Sequence, residues 1–410
     1  MKIPKSPFYP KNFPEMPKIK GIKMAVAKAG IRSSDKNDIL IMEFTQDTSV
    51  AGVFTTSYAA SSNIEHCRKI LHFGKARVLI VNSGNANVAN GSAGYKAVEE
   101  IVNLCTDLFQ CKGEEVYFSS TGVIGKPLPL DKMKIAIERA AKNLSVNLWE
   151  DAAISIMTTD TYHKMVTRKT EIDGVEVTIN GICKGSGMIA PNMATMLSYV
   201  VTDANISARL LQQMLDEYVP ISFNSITVEG DTSTSDTLLI FATGCADNEQ
   251  VDSFDDPKFS NFKSILKEML IEMAHLIVKD GEGASKFITI TVKGTSSVLS
   301  AKQLALSVAN SPLVKTAIAG GDANWGRIVM ALGKAEIKFD KNKIAIKIGN
   351  VQIVENGELS IKYAEHLVTE HMKGSNIEIE VDLSDGQSKA TVWTCDLTHG
   401  FITINSKYLT

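Results

Sequence analysis

The chain has 410 residues, more than a single hydrophobic core usually serves, so its length points to two or more compact bodies. With 43 Lys and Arg against 46 Asp and Glu, the formal net charge is -3, which excludes a global attraction to nucleic acid or anionic membrane and favours small-molecule partners. No apolar run reaches bilayer-spanning length, and the proline-rich start MKIPKSPFYPKNFPEMP lacks the apolar stretch of a secretory signal, so a soluble, cytoplasmic protein is expected.

Taken in chain order, ILIMEF near residue 40 and ARVLIVNSG from Ala76 have the β-branched, apolar character of strands. LDKMKIAIERAAKNL from Leu130 follows a helical period, and VEVTINGI from Val175 and MLSYVVTDA from Met196 return to strand. SARLLQQMLDEYV from Ser207 predicts a helix, DTLLIFATG from Asp236 a strand, the run from Asn261 to Gly281 a long helix, and FITITVKG from Phe287 a strand. ELSIKYAEHLVTEHMKG from Glu358 predicts a further helix, and Gly281 and Gly374 stand where a helix C-cap wants a residue tolerant of positive φ. The segments KIAIKIGNVQIVENG and IEIEVDLSDGQSKATVWTCDL alternate apolar and polar residues like half-buried antiparallel strands. The fold class expected is α+β, without internal repeats or a low-complexity linker.

Six cysteines (Cys67, Cys105, Cys111, Cys183, Cys245 and Cys395) form no CxxC pair, and no histidine has the spacing of a metal motif, so neither a disulfide framework nor a metal site is expected. The densest unusual sequence is CKGSGMIAPNMATMLSYVVTDA, Cys183 to Ala204, in which a strand enters a glycine-rich loop that exposes backbone amides before a second strand begins. A threonine hydroxyl needs a base to become a nucleophile, and the nearest possible base is the α-amine of the same residue, free only at a chain terminus. Such an amine titrates near about 7.7 to 8.0, suited to taking a proton and returning it near neutral pH. Spacing alone does not single out Thr195 for this role over a structural one. VNSGNANVANG from Val81 reads equally as an anion cradle or a simple turn.

The stretch KGSGMIAPNMATML resembles the autoprocessing motif of the ornithine acetyltransferases of arginine biosynthesis, the bifunctional glutamate N-acetyltransferases. VNSGNAN, SSTGVIG, TTDT, GDTSTSDT, KDGEGASK, SPLVKTAIAGGDANWGRI and WTCDLTHGFITIN extend the resemblance over nearly the whole chain. Departures are Ser235 where Asn is common, Glu229 where Asp is usual, and VANGSAGY after VNSGNAN.

The resemblance implies a layered α/β sandwich of the self-cleaving N-terminal-nucleophile type, cut between Ala194 and Thr195 into an α chain, residues 1–194, and a β chain, residues 195–410, assembled as α2β2. It implies acetyl transfer from N2-acetylornithine to glutamate through an acetyl-Thr195 ester, without a cofactor and with acetyl-CoA as a possible second donor. Thr121 and Gly122 are implied as the oxyanion hole, and Thr161, Lys184, Glu282, Asn405 and Thr410, with Thr195, as substrate contacts. Thr161 is preferred over Thr159 within TTDT, and GGDANWGR, with Asp322, Asn324 and Arg327, is read as structural. A related N-terminal-nucleophile amidohydrolase or aminopeptidase, in which water replaces glutamate, is the alternative.

Overall fold

ILIMEF forms a strand over Ile39–Phe44 whose two faces are both apolar because both are covered. Successive side chains of a strand point to opposite sides. Ile39 and Ile41 accordingly join one hydrophobic cluster, and Leu40, Met42 and Phe44 join another. The computed structural model describes residues 4–32, 35–190 and 196–406, and these divide into two compact units. The larger comprises Pro10–Asn224 and Asp231–Ile277; the smaller comprises residues 4–9, Ser225–Gly230 and residues 278–406.

In the larger unit the strands are β1 (Ile22–Ala27), β2 (Ile39–Phe44), β3 (Ser49–Phe54), β4 (Val78–Asn85), β5 (Val116–Val123), β6 (Lys164–Ile172), β7 (Val175–Lys184), β8 (Leu197–Thr202) and β9 (Thr237–Ala242). One sheet has the order β1-β2-β4-β5 and the other β3-β9-β8-β7-β6. Leu40, Met42, Leu79, Val81 and Tyr117 of the first pack against Ile182, Tyr199, Val201, Leu239 and Phe241 of the second, so the sheets lie face to face. On the far side of the first sheet, Ile39, Ile41, Val78, Ile80 and Phe118 pack on the helices Gly91–Phe109 and Leu130–Ala141. On the far side of the second, Gly181 lets Met269 and Met273 of the helix Ser260–Lys279 approach; a Cβ there would meet the Met269 methyl at 2.6 Å. The result is the layered sandwich that the resemblance implies.

The smaller unit holds β10 (Phe287–Thr295), β11 (Ala345–Ile348), β12 (Val351–Glu355), β13 (Glu358–Leu359), β14 (Asn376–Asp382) and β15 (Ser388–Cys395), ordered β13-β12-β11-β14-β10-β15. Ile288, Ile290 and Val292 share a core with residues of the helices Val298–Ala309, Pro312–Ala319 and Trp325–Gly333.

Two expectations are corrected. The helix expected from Glu358 forms only over Glu365–Met372, because Glu358–Leu359 instead pairs with β12 as an edge strand. Neither Gly281 nor Gly374 has positive φ. Close packing explains Gly281, since a Cβ there would lie 2.8 Å from Cys395 Sγ.

Candidate active site

Lys184 ends β7 opposite Leu197, the first residue of β8, so two hydrogen-bonded antiparallel strands flank the glycine-rich segment. Ala194, Thr195 and Thr410 lie outside the described residues. The structure therefore describes the strand ends on either side of residues 191–195.

Lys184 is 2% exposed, and its Nζ donates to Thr121 Oγ1 at 3.1 Å. Thr121 is buried near the end of β5. A hydroxyl carries one proton and two lone pairs, so accepting from the ammonium leaves the Thr121 proton available for another acceptor. Gly122 follows with φ +133°, and a Cβ on it would fall 2.3 Å from the backbone carbon of Gly84. Only glycine fits.

That close neighbour belongs to VNSGNAN, whose first half is strand rather than turn: β4 runs through Asn85 and pairs in parallel with β5. Ser120 Oγ donates to Asn82 Oδ1 at 2.5 Å, Asn63 Nδ2 donates to Ser120 Oγ at 3.0 Å, and Asn87 Nδ2 donates to Asn63 Oδ1 at 2.8 Å. These buried amides use their polar groups to brace the S-T-G strand end.

The residue of TTDT whose contacts organise the loop is Asp160. Its Oδ1 accepts from Lys164 Nζ at 2.7 Å and from the Gly185 amide at 2.8 Å, and its Oδ2 accepts from the Thr158 amide at 2.9 Å. Burial alone would raise the Asp160 carboxyl, but Lys164, Lys184 and the Gly185 amide together hold it well below the usual carboxylate range. Thr161, half-buried, follows directly. Burial pushes the Cys183 thiol up to about 12, so the cysteine beside Lys184 stays protonated and is no nucleophile.

At the other side of the segment, Met196 is held at both peptide groups. Its amide donates to Asp236 Oδ1 at 2.6 Å, and its carbonyl accepts from the Thr237 amide at 3.0 Å.

In the smaller unit, Asn405 Nδ2 donates to Glu282 Oε2 at 2.6 Å, bringing together two expected substrate contacts 123 residues apart. Asn405 ends the helix His399–Asn405. Thr398 Oγ1 donates to the Gly283 carbonyl at 2.6 Å, and Asp396 Oδ1 accepts from the Ser285 and Lys286 amides at 2.7 and 2.9 Å. The turn of KDGEGASK is thus clamped by WTCDLTHGF. Gly283, at φ +72°, has no room for a Cβ, which would meet the Phe401 amide nitrogen at 2.4 Å. Asn324 caps the helix Trp325–Gly333, in keeping with a structural GGDANWGR.

The motifs that carry the resemblance are thus packed on one another within each unit, and comparison with known proteins agrees. The ArgJ family model matches residues 23–410. The chain belongs to the ArgJ family. It is 47% identical to the arginine biosynthesis bifunctional protein ArgJ of Agrobacterium fabrum, with 100% of both chains covered. It is 48% identical to that of Gluconobacter oxydans, over 99% of this chain and 96% of the relative. A crystal structure of the Bacillus halodurans protein of the same description is 39% identical, with a TM-score of 0.50, covering 52% of this chain and all of that one.

Sequence reasoning passed over Asp160, Lys164 and Asp236 in this ArgJ-family chain. Asp160 stood inside TTDT, and Asp236 inside GDTSTSDT, so position within a motif was the available signal. Asp160 accepts from the Gly185 amide 25 residues away and Asp236 from the Met196 amide 40 residues away, which no spacing rule reveals.

Proposed function

We propose that this chain cuts itself between Ala194 and Thr195 and then moves an acetyl group from N2-acetylornithine to glutamate, giving ornithine and N-acetylglutamate. The observation that carries this reading is the 3.1 Å hydrogen bond from Lys184 to Thr121, which joins the autoprocessing motif to the S-T-G strand end. In the first half-reaction the Thr195 hydroxyl attacks the acetyl carbonyl while its own α-amine takes the proton. The Thr121 hydroxyl and Gly122 amide face the oxygen on which negative charge develops, a contribution of several kcal/mol. The α-ammonium returns the proton to the departing ornithine amine, leaving the acetyl-threonine ester. Glutamate then attacks that ester by the reverse proton path.

Glu282, backed by Asn405, is the anion for the ornithine side-chain ammonium, and Lys184 contributes positive charge on the larger unit. Thr161 and Thr410 complete the proposed contacts. After cleavage β7 belongs to residues 1–194 and β8 to residues 195–410, and their ladder of pairs from Ile179↔Thr202 to Lys184↔Leu197 holds the two segments together. The pairing of β3 with β9 does the same. An α2β2 assembly and a cytoplasmic location belong to this proposal. So does acetyl-CoA as a second acetyl donor, which fits the word bifunctional in the relatives' description.

Intact-mass analysis with amino-terminal sequencing tests the cleavage, and labelled acetyl exchange between N-acetylornithine and glutamate tests the reaction. A second chain beginning at Thr195 and glutamate-dependent ornithine release are expected. An uncut chain without exchange would overturn the reading, and acetate release independent of glutamate would make it a hydrolase.

A further inference from the structure

Lys315 lies on the helix Pro312–Ala319, within SPLVKTAIAGG, and the transfer chemistry described above gives it no part. It is 3% exposed and forms no ion pair with a carboxylate among the described residues. Burial pulls its ammonium below the usual lysine range, and Cys395, Asp396 and Glu229 oppose that pull. Burying a lysine without a paired carboxylate costs free energy that an apolar side chain would not. What the lysine supplies is donors. Its Nζ donates to Thr394 Oγ1 at 2.8 Å and to the Cys395 carbonyl, and its own carbonyl accepts from the Leu397 amide at 3.3 Å.

That grip falls where the chain leaves β15. The Asp396 amide donates to the Lys286 carbonyl at 3.3 Å, so the peptide joining Cys395 to Asp396 is held at both its oxygen and its nitrogen. From this fixed backbone the Asp396 carboxylate takes the Ser285 and Lys286 amides and the Ser285 hydroxyl. Glu282 stands in the same turn, which the Ala284 amide closes by donating to the Gly281 carbonyl at 2.9 Å.

Further along, Thr398 holds the Gly283 carbonyl and caps the helix His399–Asn405, whose last residue donates to Glu282 Oε2 at 2.6 Å. Both members of the Glu282–Asn405 pair are therefore placed from one short segment, residues 395–398. Lys315 fixes the first peptide of that segment. Glu282 Oε1 has no hydrogen-bond partner among the described residues.

We infer that Lys315 is a positioning residue for substrate recognition: by fixing the peptide after β15 it aims the Glu282 carboxylate, through Asp396 on one side and Asn405 on the other, so that the oxygen Asn405 leaves open meets the side-chain ammonium of N-acetylornithine. The inference rests on the assignment of Glu282 in the previous section and adds to it how that carboxylate is aimed.

The test is Lys315→Met, which keeps the apolar stem of the side chain and removes its donors, made alone and together with Glu282→Gln. KM for N-acetylornithine should rise about 10-fold, with kcat and KM for glutamate little changed, as when one charge-assisted contact is weakened away from the reacting atoms. In the Glu282→Gln background the same change should add almost nothing, because residues that act through one another are not additive. Wild-type KM values in the single variant, whatever its melting temperature, overturn the inference. Equal rises for both substrates, or full additivity with Glu282→Gln, overturn it too. Where Lys315→Met yields no folded protein, Asp396→Asn decides: a rise confined to N-acetylornithine supports the inference, and an unselective rise or none overturns it. If Glu282→Gln alone leaves KM for N-acetylornithine at the wild-type value, the assignment of Glu282 fails. If it raises that KM while the Lys315 and Asp396 variants do not, this inference fails alone.

Discussion

Lys184 donates to Thr121 Oγ1 across 3.1 Å although 63 residues separate them, and both side chains are buried. The ammonium occupies a lone pair of the hydroxyl and so turns its proton outward, making Thr121 a donor. Thr121→Val removes that donor and keeps the shape of the side chain. Its kcat should fall by about 10²- to 10³-fold, with KM for N-acetylornithine nearly unchanged, as found when one oxyanion donor is lost. Steady-state kinetics on the processed protein check this, and a variant at wild-type kcat would remove Thr121 from the site.

Gly122→Ala should act on folding before it acts on catalysis. The new methyl would sit 2.3 Å from the Gly84 backbone at a φ of +133°. Neither β4 nor β5 can yield without breaking their pairing, so a loss of roughly 2–4 kcal/mol is expected. Denaturant unfolding, compared with Gly125→Ala, where nothing lies within 4 Å of the added carbon, separates crowding from the cost of positive φ.

Asp160 ties Lys164 and the Gly185 amide together, and its pKa is lowered. A carboxyl lowered on folding stabilises the native state above its unfolded pKa of about 3.9, and that contribution drains away as pH falls below this value towards the folded pKa. Asp160→Asn should therefore lose about 3–5 kcal/mol at pH 7, the range for breaking a buried pair. The gap from wild type should hold down to about pH 4 and narrow below it. Urea midpoints from pH 7 to pH 3 measure it, and a gap constant across that range would contradict the assignment.

Glu282→Gln should separate the two substrates. N-Acetylornithine carries a side-chain ammonium and glutamate does not, so removing the charge that Asn405 supports should raise KM for N-acetylornithine by roughly 10- to 100-fold, the worth of a charge-assisted hydrogen bond. KM for glutamate should change much less. Equal effects on both would assign Glu282 to a contact that the substrates share.

Composition and motif order by themselves established a mixed α and β chain of the ArgJ family, and they named residues that the structure brings together, Lys184 with Thr121 and Glu282 with Asn405. The strand Ile39–Phe44 was legible because a strand covered on both faces is apolar at nearly every position, Glu43 being the exception. Only the tertiary structure decided that the helix expected from Glu358 yields to strand pairing, and that Gly281 is required by Cys395 rather than by its own backbone angle. It also decided that Asp160 and Asp236 are the carboxylates gripping the two ends of the glycine-rich segment. The reason is physical: a motif records which residue types occur along one stretch of chain, whereas the Gly185 and Met196 amides reach Asp160 and Asp236 from 25 and 40 residues away, and those meet only when the chain folds.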